Sequence, residues 1–295
     1  MKIACLGITV LDRVQLVEKL PTTGGKYVSK DYFEIGGGPA ATAAVAVSKL
    51  GHEVEFVGRV GSDSVANTMI EELNSYGVKT NHVVHIDNAS SSFSSVLVDD
   101  EGERMIINHQ DPMLSRDIRM LMDVDFSQFD AVLCDVRWPE GAKYLLEKAK
   151  EYGISSVLDA DLSPDPIDEL VKLADHVAFS EEGLSTFVQN SEVEAGLRLA
   201  KQETSGKVYV TVGKHGCYWL ENNELQHEAA PVIDVVDTTG AGDTFHGALV
   251  VAVAEGMDTR AAVKFSNIVA AIKCTKLGGR EGIPTRSAVN KHINE

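Results

Sequence analysis

Residues 237–243 read Asp-Thr-Thr-Gly-Ala-Gly-Asp and place two glycines and a carboxylate where a helix is predicted to begin. An apolar helical pattern follows over residues 245–254. The free N–H groups of a first helical turn, with the helix dipole, form an anion site that Gly240 and Gly242 leave open to close approach. Asp243 beside that anion would be a base, as phosphoryl transfer to a hydroxyl requires. A plain glycine-rich turn with Asp243 as an ordinary first-turn residue is the alternative.

The elements that must position these residues alternate between short apolar runs and helical patterns. Strands are predicted at residues 2–8, 53–60, 131–137, 155–161, 176–180 and 207–213. Helices are predicted at residues 39–50, 64–76, 140–152, 166–174 and 192–204. This alternation predicts an α/β fold with a mostly parallel sheet and helices on both faces. Ligands of such sheets bind at the carboxyl ends of the strands.

Two segments interrupt the alternation. Residues 13–35 contain a Pro-Thr-Thr-Gly-Gly bend between extended stretches. Residues 91–109 read as a hairpin that turns at Asp-Asp-Glu-Gly. Neither segment has a helix to cover it, so they form either a small separate sheet or an edge hairpin of the main sheet.

Composition excludes several functional classes. The chain has 295 residues, a net charge of −17 and no Lys/Arg run, which argues against nucleic acid or an anionic membrane as a partner. No apolar run approaches the roughly 18 residues of a membrane span, and the N-terminus enters a strand pattern directly. The four cysteines are far apart, which predicts free thiols and a cytoplasmic location. They are Cys5, Cys134, Cys217 and Cys274.

The motif at residues 237–245 resembles the C-terminal motif of the ribokinase-like (PfkB-type) sugar and nucleoside kinases. Residues 36–43, Gly-Gly-Gly-Pro-Ala-Ala-Thr-Ala, and residues 57–63, Val-Gly-Arg-Val-Gly-Ser-Asp, resemble the family's first motif. The resemblance runs from about residue 2 to residue 284. It implies one ribokinase-like kinase domain over residues 1–295. The two interrupting segments would then form a β-sheet lid over the sugar, through which two subunits form a homodimer.

The resemblance also implies an ATP-dependent kinase in which Asp243 is the catalytic base. The backbone amides of Gly240, Ala241 and Gly242 would stabilise charge on the transferring group, and Mg²⁺ would bridge the nucleotide phosphates. The family's N-x-x-E motif is altered here to Ser-Glu-Glu-Gly at residues 180–183, so Glu181 or Glu182 is predicted to act on Mg²⁺ through water. Both could instead be ordinary acidic residues in the first turn of a helix. A monovalent cation, K⁺, beside Asp237 and Thr239 is implied by the resemblance only.

The nucleotide side is predicted in the last third of the chain. Residues that resemble the family's nucleotide contacts are Thr211, Gly213, Gly216, Asn267 and Gly279. Each also has a purely structural interpretation, since glycines end helices and an asparagine can be an exposed helix residue. The chain contains no G-x-x-x-x-G-K-[ST] phosphate loop, and no G-x-G-x-x-G follows the first strand. P-loop kinases are therefore excluded and dinucleotide oxidoreductases disfavoured.

The sugar side combines hydroxyl-binding and cationic residues. By resemblance, Asp12, Gly37, Gly38 and Thr42 contact the sugar, although most sugar kinases of the family carry Asn where this chain has Thr42. That departure puts ordinary ribose or fructose recognition in doubt. Three further residues, Lys26, Asn108 and Arg137, are predicted to meet around an anionic group on the sugar. Taken singly, a lysine on a lid is solvated and Arg137 could pair with Asp135.

Six segments are similar to the family members that phosphorylate 6-deoxy-6-sulfofructose at O1 in sulfoquinovose breakdown. They are residues 7–10, 24–27, 36–44, 106–108, 135–138 and 278–284. This resemblance implies 6-deoxy-6-sulfofructose 1-phosphate as the product. Fructose 6-phosphate, tagatose 6-phosphate and fructose remain alternative substrates, since a C6 sulfonate and a C6 phosphate are both tetrahedral oxyanions. A nucleoside kinase or a catalytically silent binding protein would be a different class.

Overall fold

The computed structural model describes residues 1–294, and within them the chain forms thirteen strands and nine α-helices. The strands are β1 (Lys2–Gly7), β2 (Val10–Leu16), β3 (Asp31–Gly37), β4 (Glu53–Gly61), β5 (Lys79–Ile86), β6 (Phe93–Val98), β7 (Arg104–His109), β8 (Ala131–Asp135), β9 (Ser155–Ala160), β10 (His176–Ser180), β11 (Lys207–Thr211), β12 (Cys217–Glu221) and β13 (Glu224–Glu228). The helices are α1 (Pro39–Lys49), α2 (Ser64–Ser75), α3 (Pro139–Tyr152), α4 (Asp168–Leu173), α5 (Glu181–Val188), α6 (Val193–Gln202), α7 (Ala241–Ala254), α8 (Thr259–Cys274) and α9 (Arg286–Asn294).

Nine strands form the larger sheet, in the order β13-β12-β11-β10-β9-β8-β1-β4-β5. All neighbouring pairs from β11 to β5 are parallel, and only β12 and β13 run antiparallel at one edge. The central strands are apolar along their length because both of their faces are covered; Ile3 to Leu6 of β1, for example, are fully buried. Their carboxyl ends face one edge of the sheet, where the site residues collect.

Helices cover both faces of this sheet. One face carries α1, α7 and α8, whose small and aliphatic side chains pack into one core cluster. The opposite face carries α3, α4, α5 and α6 in a second cluster. Nearly every residue of α7 from Thr244 to Ala252 is buried, which fixes this helix rigidly between α1 and α8. The predicted α/β fold with helices on both faces is confirmed. No helix within residues 1–294 is both long and apolar enough to cross a membrane.

The four remaining strands form a separate small sheet in the order β3-β2-β6-β7. Strands β6 and β7 pair with each other, and β6 joins β2 in parallel. The hairpin therefore belongs to a separate sheet, and its interpretation as an edge of the main sheet is wrong. Residues 17–30, between β2 and β3, form an exposed loop. That the small sheet acts as a lid, and that residues 1–295 form one domain, stay predictions.

Candidate active site

The glycine-rich turn at the start of α7 takes the predicted shape. Gly240 precedes the helix with a φ of 72°, a left-handed conformation that favours glycine. Thr244 N donates to Gly240 O at 2.9 Å and begins the helical ladder. Ala241 N donates to Thr238 O at 3.1 Å, so this amide already has an acceptor inside the turn. Of the three amides predicted to face an anion, those of Gly240 and Gly242 remain the better candidates.

Asp243 lies in the first turn of α7, partly buried. Burial raises the pKa of its carboxyl group to about 7, and the neighbouring carboxylate of Asp159 acts in the same direction. Asp161 and Asp135 add to this effect, while His246 opposes it. A carboxylate whose pKa lies near neutrality can accept and release a proton at physiological pH.

A first cavity of about 400 Å³ opens between the small sheet and the carboxyl edge of the larger sheet. Its polar wall residues include Asp12, Ser94, Arg104, Asn108, Arg137 and Asp237. Asn108 Oδ1 accepts a hydrogen bond from Ser94 Oγ at 2.9 Å, so two neighbouring strands present one polar surface. Hydroxyl, amide and carboxylate groups arranged in this way suit a ligand rich in hydroxyls.

Two predicted glycines form the floor beneath Asp12. A Cβ at Gly37 would overlap the Asp12 carboxylate, and one at Gly38 would lie 2.6 Å from Ile8 O. Gly38 has a φ of 93° and precedes α1. Burial raises the pKa of Asp12, although its hydrogen bond with Ser94 and the charge of Arg280 act against the rise. Asp12 and Gly38 therefore line the cavity, while Gly37 lies buried directly beneath Asp12.

Thr42 is buried below this floor instead of lining the cavity. Its hydroxyl accepts from Arg280 Nε at 3.4 Å. The buried Arg280 guanidinium also donates to Gly37 O at 2.6 Å and to Glu72 Oε2 at 2.7 Å. Thr42 thus contacts the protein's own arginine and does not line the cavity, so its role as a sugar contact stays a prediction. Sequence reasoning missed Arg280, because nothing in the spacing showed which arginine would be buried.

Of the three residues predicted to hold an anion, the structure brings two together. Arg137 and Asn108 both line the first cavity, whereas Lys26 lies outside it in the exposed loop 17–30. The guanidinium of Arg137 lies 3.6 Å from Asp161 Oδ2. Its predicted alternative partner, Asp135, instead accepts from the backbone N–H of Arg137 at 2.9 Å. Arg59 Nη1 donates to Ser115 O, and its guanidinium stacks over Trp138, so it supports this corner from outside the cavity.

The carboxylate of Asp237 connects the small sheet to the glycine-rich turn. Arg104 of β7 donates to Asp237 Oδ1 at 2.6 Å, and Thr239 donates to the same oxygen through both its N–H and its hydroxyl. Gly278 N donates to Oδ2 at 3.0 Å, and Lys273 Nζ lies 4.0 Å from that oxygen. Oδ2 thus accepts one hydrogen bond within residues 1–294, and the monovalent cation beside this carboxylate stays a prediction.

A second cavity of about 500 Å³ lies on the other side of the turn. Thr211, Gly213, Gly216 and Asn267 line it as predicted, together with Ala241 and Gly242. Gly279 does not line it and lies against Thr239, so its role as a wall of the base pocket stays a prediction. The apolar part of the wall includes Pro231, Val232, Phe245, Ala270 and Ala271. A deep apolar slot beside a helix N-terminus suits a flat base with attached phosphates.

Glu181 is the exposed first residue of α5. Ser180 caps that helix by accepting from Gly183 N at 2.9 Å, and its hydroxyl donates to Asp161 Oδ1 at 2.6 Å. Within residues 1–294, no group of three or more His, Cys, Asp or Glu side chains could hold a metal ion. The described residues therefore do not fit a metal held by the protein alone, and the role of Glu181 stays a prediction.

A glycine-rich helix start between two cavities, with a partly buried carboxylate in its first turn, defines a phosphotransferase with two substrate sites. The chain belongs to the pfkB family of carbohydrate kinases, whose model matches residues 1–286. It is accordingly an ATP-dependent carbohydrate kinase with a ribokinase-like fold.

Similar proteins extend over the whole chain. The ribokinase of Bacillus subtilis is 28% identical over 99% of both chains. A solved structure from Agrobacterium tumefaciens, provisionally named a ribokinase, is 33% identical with a TM-score of 0.91 and covers 99% of this chain and 97% of that one. The same fold occurs in an Arabidopsis thaliana ribokinase complexed with ribose and ATP, which is 23% identical with a TM-score of 0.86 and covers 100% of this chain and 98% of that one.

Proposed function

We propose that this kinase phosphorylates O1 of a ketohexose that carries an anionic group at C6, namely 6-deoxy-6-sulfofructose. The observation that carries the proposal is the Arg137 guanidinium in the wall of the first cavity. Its one ionic partner within residues 1–294 is Asp161, whose carboxylate lies 3.6 Å away and is 41% exposed. Much of the planar guanidinium fork of Arg137 is therefore available to an oxyanion. Asn108 adds a neutral amide on the same wall.

The two cavities suggest how the transfer proceeds. The sugar occupies the first cavity, with Asp12 at its hydroxyls, and ATP occupies the second. Asp243 takes the proton of the attacking hydroxyl, whose oxygen bonds to the γ-phosphorus while the bond to the ADP oxygen breaks. The amides of Gly240 and Gly242 stabilise charge on the transferring group. Magnesium, when bound, neutralises charge on the nucleotide phosphates, with Glu181 as its predicted protein contact through water.

Sulfonate is preferred to phosphate in this proposal because of the small number of cations. Arg104 is committed to Asp237, and Lys26 lies outside the cavity, which leaves Arg137 as the cation that faces a ligand. A monoanionic sulfonate matches one cation better than a phosphate of higher charge.

Ribose is a second candidate, favoured by relatives that are named ribokinases. A pentose needs hydroxyl-binding groups but no cation at the far end of the cavity. Asp12, Ser94 and Asn108 could serve that substrate without Arg137.

One assay separates these candidates. We expect kcat/KM for 6-deoxy-6-sulfofructose to exceed the values for fructose 6-phosphate, fructose and ribose. Arg137→Ala should lower it by roughly 10–100-fold, because a hydrogen bond to a charged group contributes about 1.5–3 kcal/mol. Turnover of fructose should change little. The matched control is Arg116→Ala, an exposed arginine paired with Glu140 and Asp165 outside the cavity.

The outcomes of this assay distinguish the candidate substrates and the role of Arg137. Ribose or fructose at or above the anionic sugars would refute the anion pocket. Fructose 6-phosphate ahead of 6-deoxy-6-sulfofructose would keep the pocket and make the enzyme a sugar-phosphate kinase. Equal losses for all sugars in Arg137→Ala would mean that this residue supports the fold only.

A further inference from the structure

A buried histidine lies below the catalytic turn and has no part in the reaction described so far. His246 is three residues after Asp243 on α7, so the two side chains share one side of the helix. Its ring is 3% exposed, and Nδ1 lies 2.8 Å from Asp159 Oδ2. Phe245 packs against its ring edge-on. A histidine that contacts a carboxylate and is shielded from water this completely can affect its charged neighbours strongly.

The groups around His246 are mostly acidic. Asp159 and Asp161 belong to the end of β9 and the residues after it, and Asp135 ends β8. The buried thiol of Cys134 lies on β8 as well. The cations near this cluster have other partners: Arg137 lies 3.6 Å from Asp161 Oδ2, Lys273 donates to Asp237 O, and Arg280 donates to Glu72. Lys273 and Arg280 also interact electrostatically with Asp243. The buried residues of α1 are alanines, valines and one threonine, so they add no titratable group.

Asp135 does not relieve this excess of negative charge at neutral pH, because burial raises its pKa only to about 6. Its carboxylate accepts hydrogen bonds from the backbone N–H groups of Ile8, Ala40 and Arg137, which favour its ionised form. By contrast, Asp159 Oδ1 and both ring nitrogens of His246 have no hydrogen-bond partner within residues 1–294, although Nδ1 lies 2.8 Å from Asp159 Oδ2. The ion pair between Asp159 and His246 therefore balances the negative charge in this part of the buried cluster.

We propose that His246 is a positioning residue whose imidazolium, paired with Asp159, holds the carboxylate of Asp243 in the ionised form that accepts the hydroxyl proton. The inference rests on the proposed role of Asp243 as the base. Without a positive charge at residue 246, Asp159 would face Asp243 as an uncompensated anion, and Asp243 would bind a proton more tightly.

The electrostatics of the two residues agree with this role. Burial alone would lower the pKa of His246, but the negative charge of Asp159, 2.8 Å from Nδ1, raises it overall. Burial raises the pKa of Asp243 to about 7 and Asp159 raises it further, whereas His246 is the neighbour that lowers it. Removing the imidazolium should thus shift the acidic limb of the activity profile to higher pH.

The test is the pH dependence of kcat/KM for the wild type and for His246→Gln and His246→Asn, two neutral variants of different length. We expect the apparent pKa of the acidic limb to rise by roughly one unit, the size of shift that a nearby charge causes. At pH 6.5, kcat/KM should fall by about five- to tenfold, and it should recover towards the wild-type value at pH 9. A structural role alone would lower activity equally at every pH.

Asp159→Asn provides the second arm. This change removes the anion that the imidazolium balances, so the acidic limb should shift less than in His246→Gln. ATP affinity and circular dichroism of each variant report whether the protein is folded. An unshifted acidic limb in a folded, active His246 variant would overturn the inference.

Two further measurements keep the outcomes separate. Histidine NMR on the wild type, with His246→Gln used for assignment, should show an imidazolium at residue 246 at pH 6.5; a neutral ring there would also overturn the inference. If Asp243→Asn retains wild-type kcat, the proposed base itself is wrong. If Asp243→Asn is inactive and the His246 variants keep the wild-type profile, only the role of His246 is wrong.

Discussion

The carboxyl group of Asp243 lies where its charged form is disfavoured, in the company of three other aspartates. An enzyme that needs a base at neutral pH benefits from this, because a carboxylate with a pKa near 7 is a better proton acceptor than one with a pKa near 4. The same pKa makes the Asp243 carboxylate sensitive to protonation. Activity should therefore decline as the pH falls through about 7.

Replacing Asp243 by asparagine tests the chemical assignment. The amide keeps the shape of the side chain but cannot take a proton, and loss of a general base typically lowers the rate by about 10²–10⁴-fold. We expect kcat to fall by that order, while the Kd for ATP, measured by calorimetry, changes little. Asp168→Asn is the matched control, since Asp168 is an exposed first-turn aspartate on α4. Wild-type kcat in Asp243→Asn would contradict the assignment.

At the residue scale, motif spacing predicted the positions that depend on backbone geometry and missed those that depend on packing. Gly240, Gly37 and Gly38 lie where predicted because their chemistry is local to the turn. Arg280 reaches Thr42 across 238 residues of sequence, and no local pattern reveals such a contact. Lys26 was predicted to meet the anion because it lies in the first of the two interrupting segments, but its exposed loop does not line the cavity.

At the scale of elements, buried strands were predictable and polar edge strands were not. The central strands read as apolar runs, since both their faces are covered. Strand β5 at one edge has the polar sequence Lys-Thr-Asn-His at its start, and the hairpin β12–β13 at the other edge is also half polar. The sequence does mark the turn between β12 and β13 with two asparagines. Asn222 and Asn223 have φ values of 51° and 68°, as a tight hairpin turn requires.

A histidine at the contact between β10 and β11 should make the free energy of unfolding depend on pH. His176 Nδ1 lies 2.8 Å from the Tyr209 hydroxyl, and burial lowers the pKa of this histidine to about 4, helped by the charge of Lys207. The unfolded state binds a proton below its pKa of about 6.5, and the native state does so only near pH 4. The contribution of His176 to the free energy of unfolding is therefore fully present above pH 6.5 and is lost as the pH falls towards 4.

Between pH 7.5 and pH 5, this effect should reduce the free energy of unfolding by on the order of 2 kcal/mol. Urea unfolding at the two pH values measures it. In His176→Gln the difference between the two pH values should shrink by that amount, whereas His85→Gln, on the exposed part of β5, should behave as the wild type. The same pH dependence in wild type and His176→Gln would show that His176 does not cause it.

At the scale of the whole molecule, the small sheet has one face on the first cavity and the other unprotected. Along β7, Arg104, Ile106 and Asn108 line the cavity, so Met105 and Ile107 point to the opposite face. Ile107 is 63% exposed and Met105 is 36% exposed. Val96 of the neighbouring strand β6 is buried. An apolar sheet face of this kind is typically covered by another chain.

We predict a homodimer joined through the small sheets. Light scattering at tens of micromolar protein should give twice the monomer mass, and Ile107→Glu should shift the protein to monomers because it would bury a charge at the interface. Leu199→Glu on α6, 39% exposed and on the other side of the fold, is the control and should remain dimeric. A monomeric wild type at that concentration would refute the prediction.

The crowding around Gly37 and Gly38 has a consequence for how this enzyme can diverge. Gly38 has no room for even a methyl group because the Ile8 carbonyl fills that space, and a methyl group at Gly37 would displace the Asp12 carboxylate. Substitution at the floor of the first cavity is therefore restricted. The side chains of β7 line the same cavity and are exposed, so they can be replaced with less disturbance of the core. Tolerance and constraint are thus divided within the small sheet, between β7 and the end of β3, so related kinases could acquire a new substrate preference on an unchanged floor.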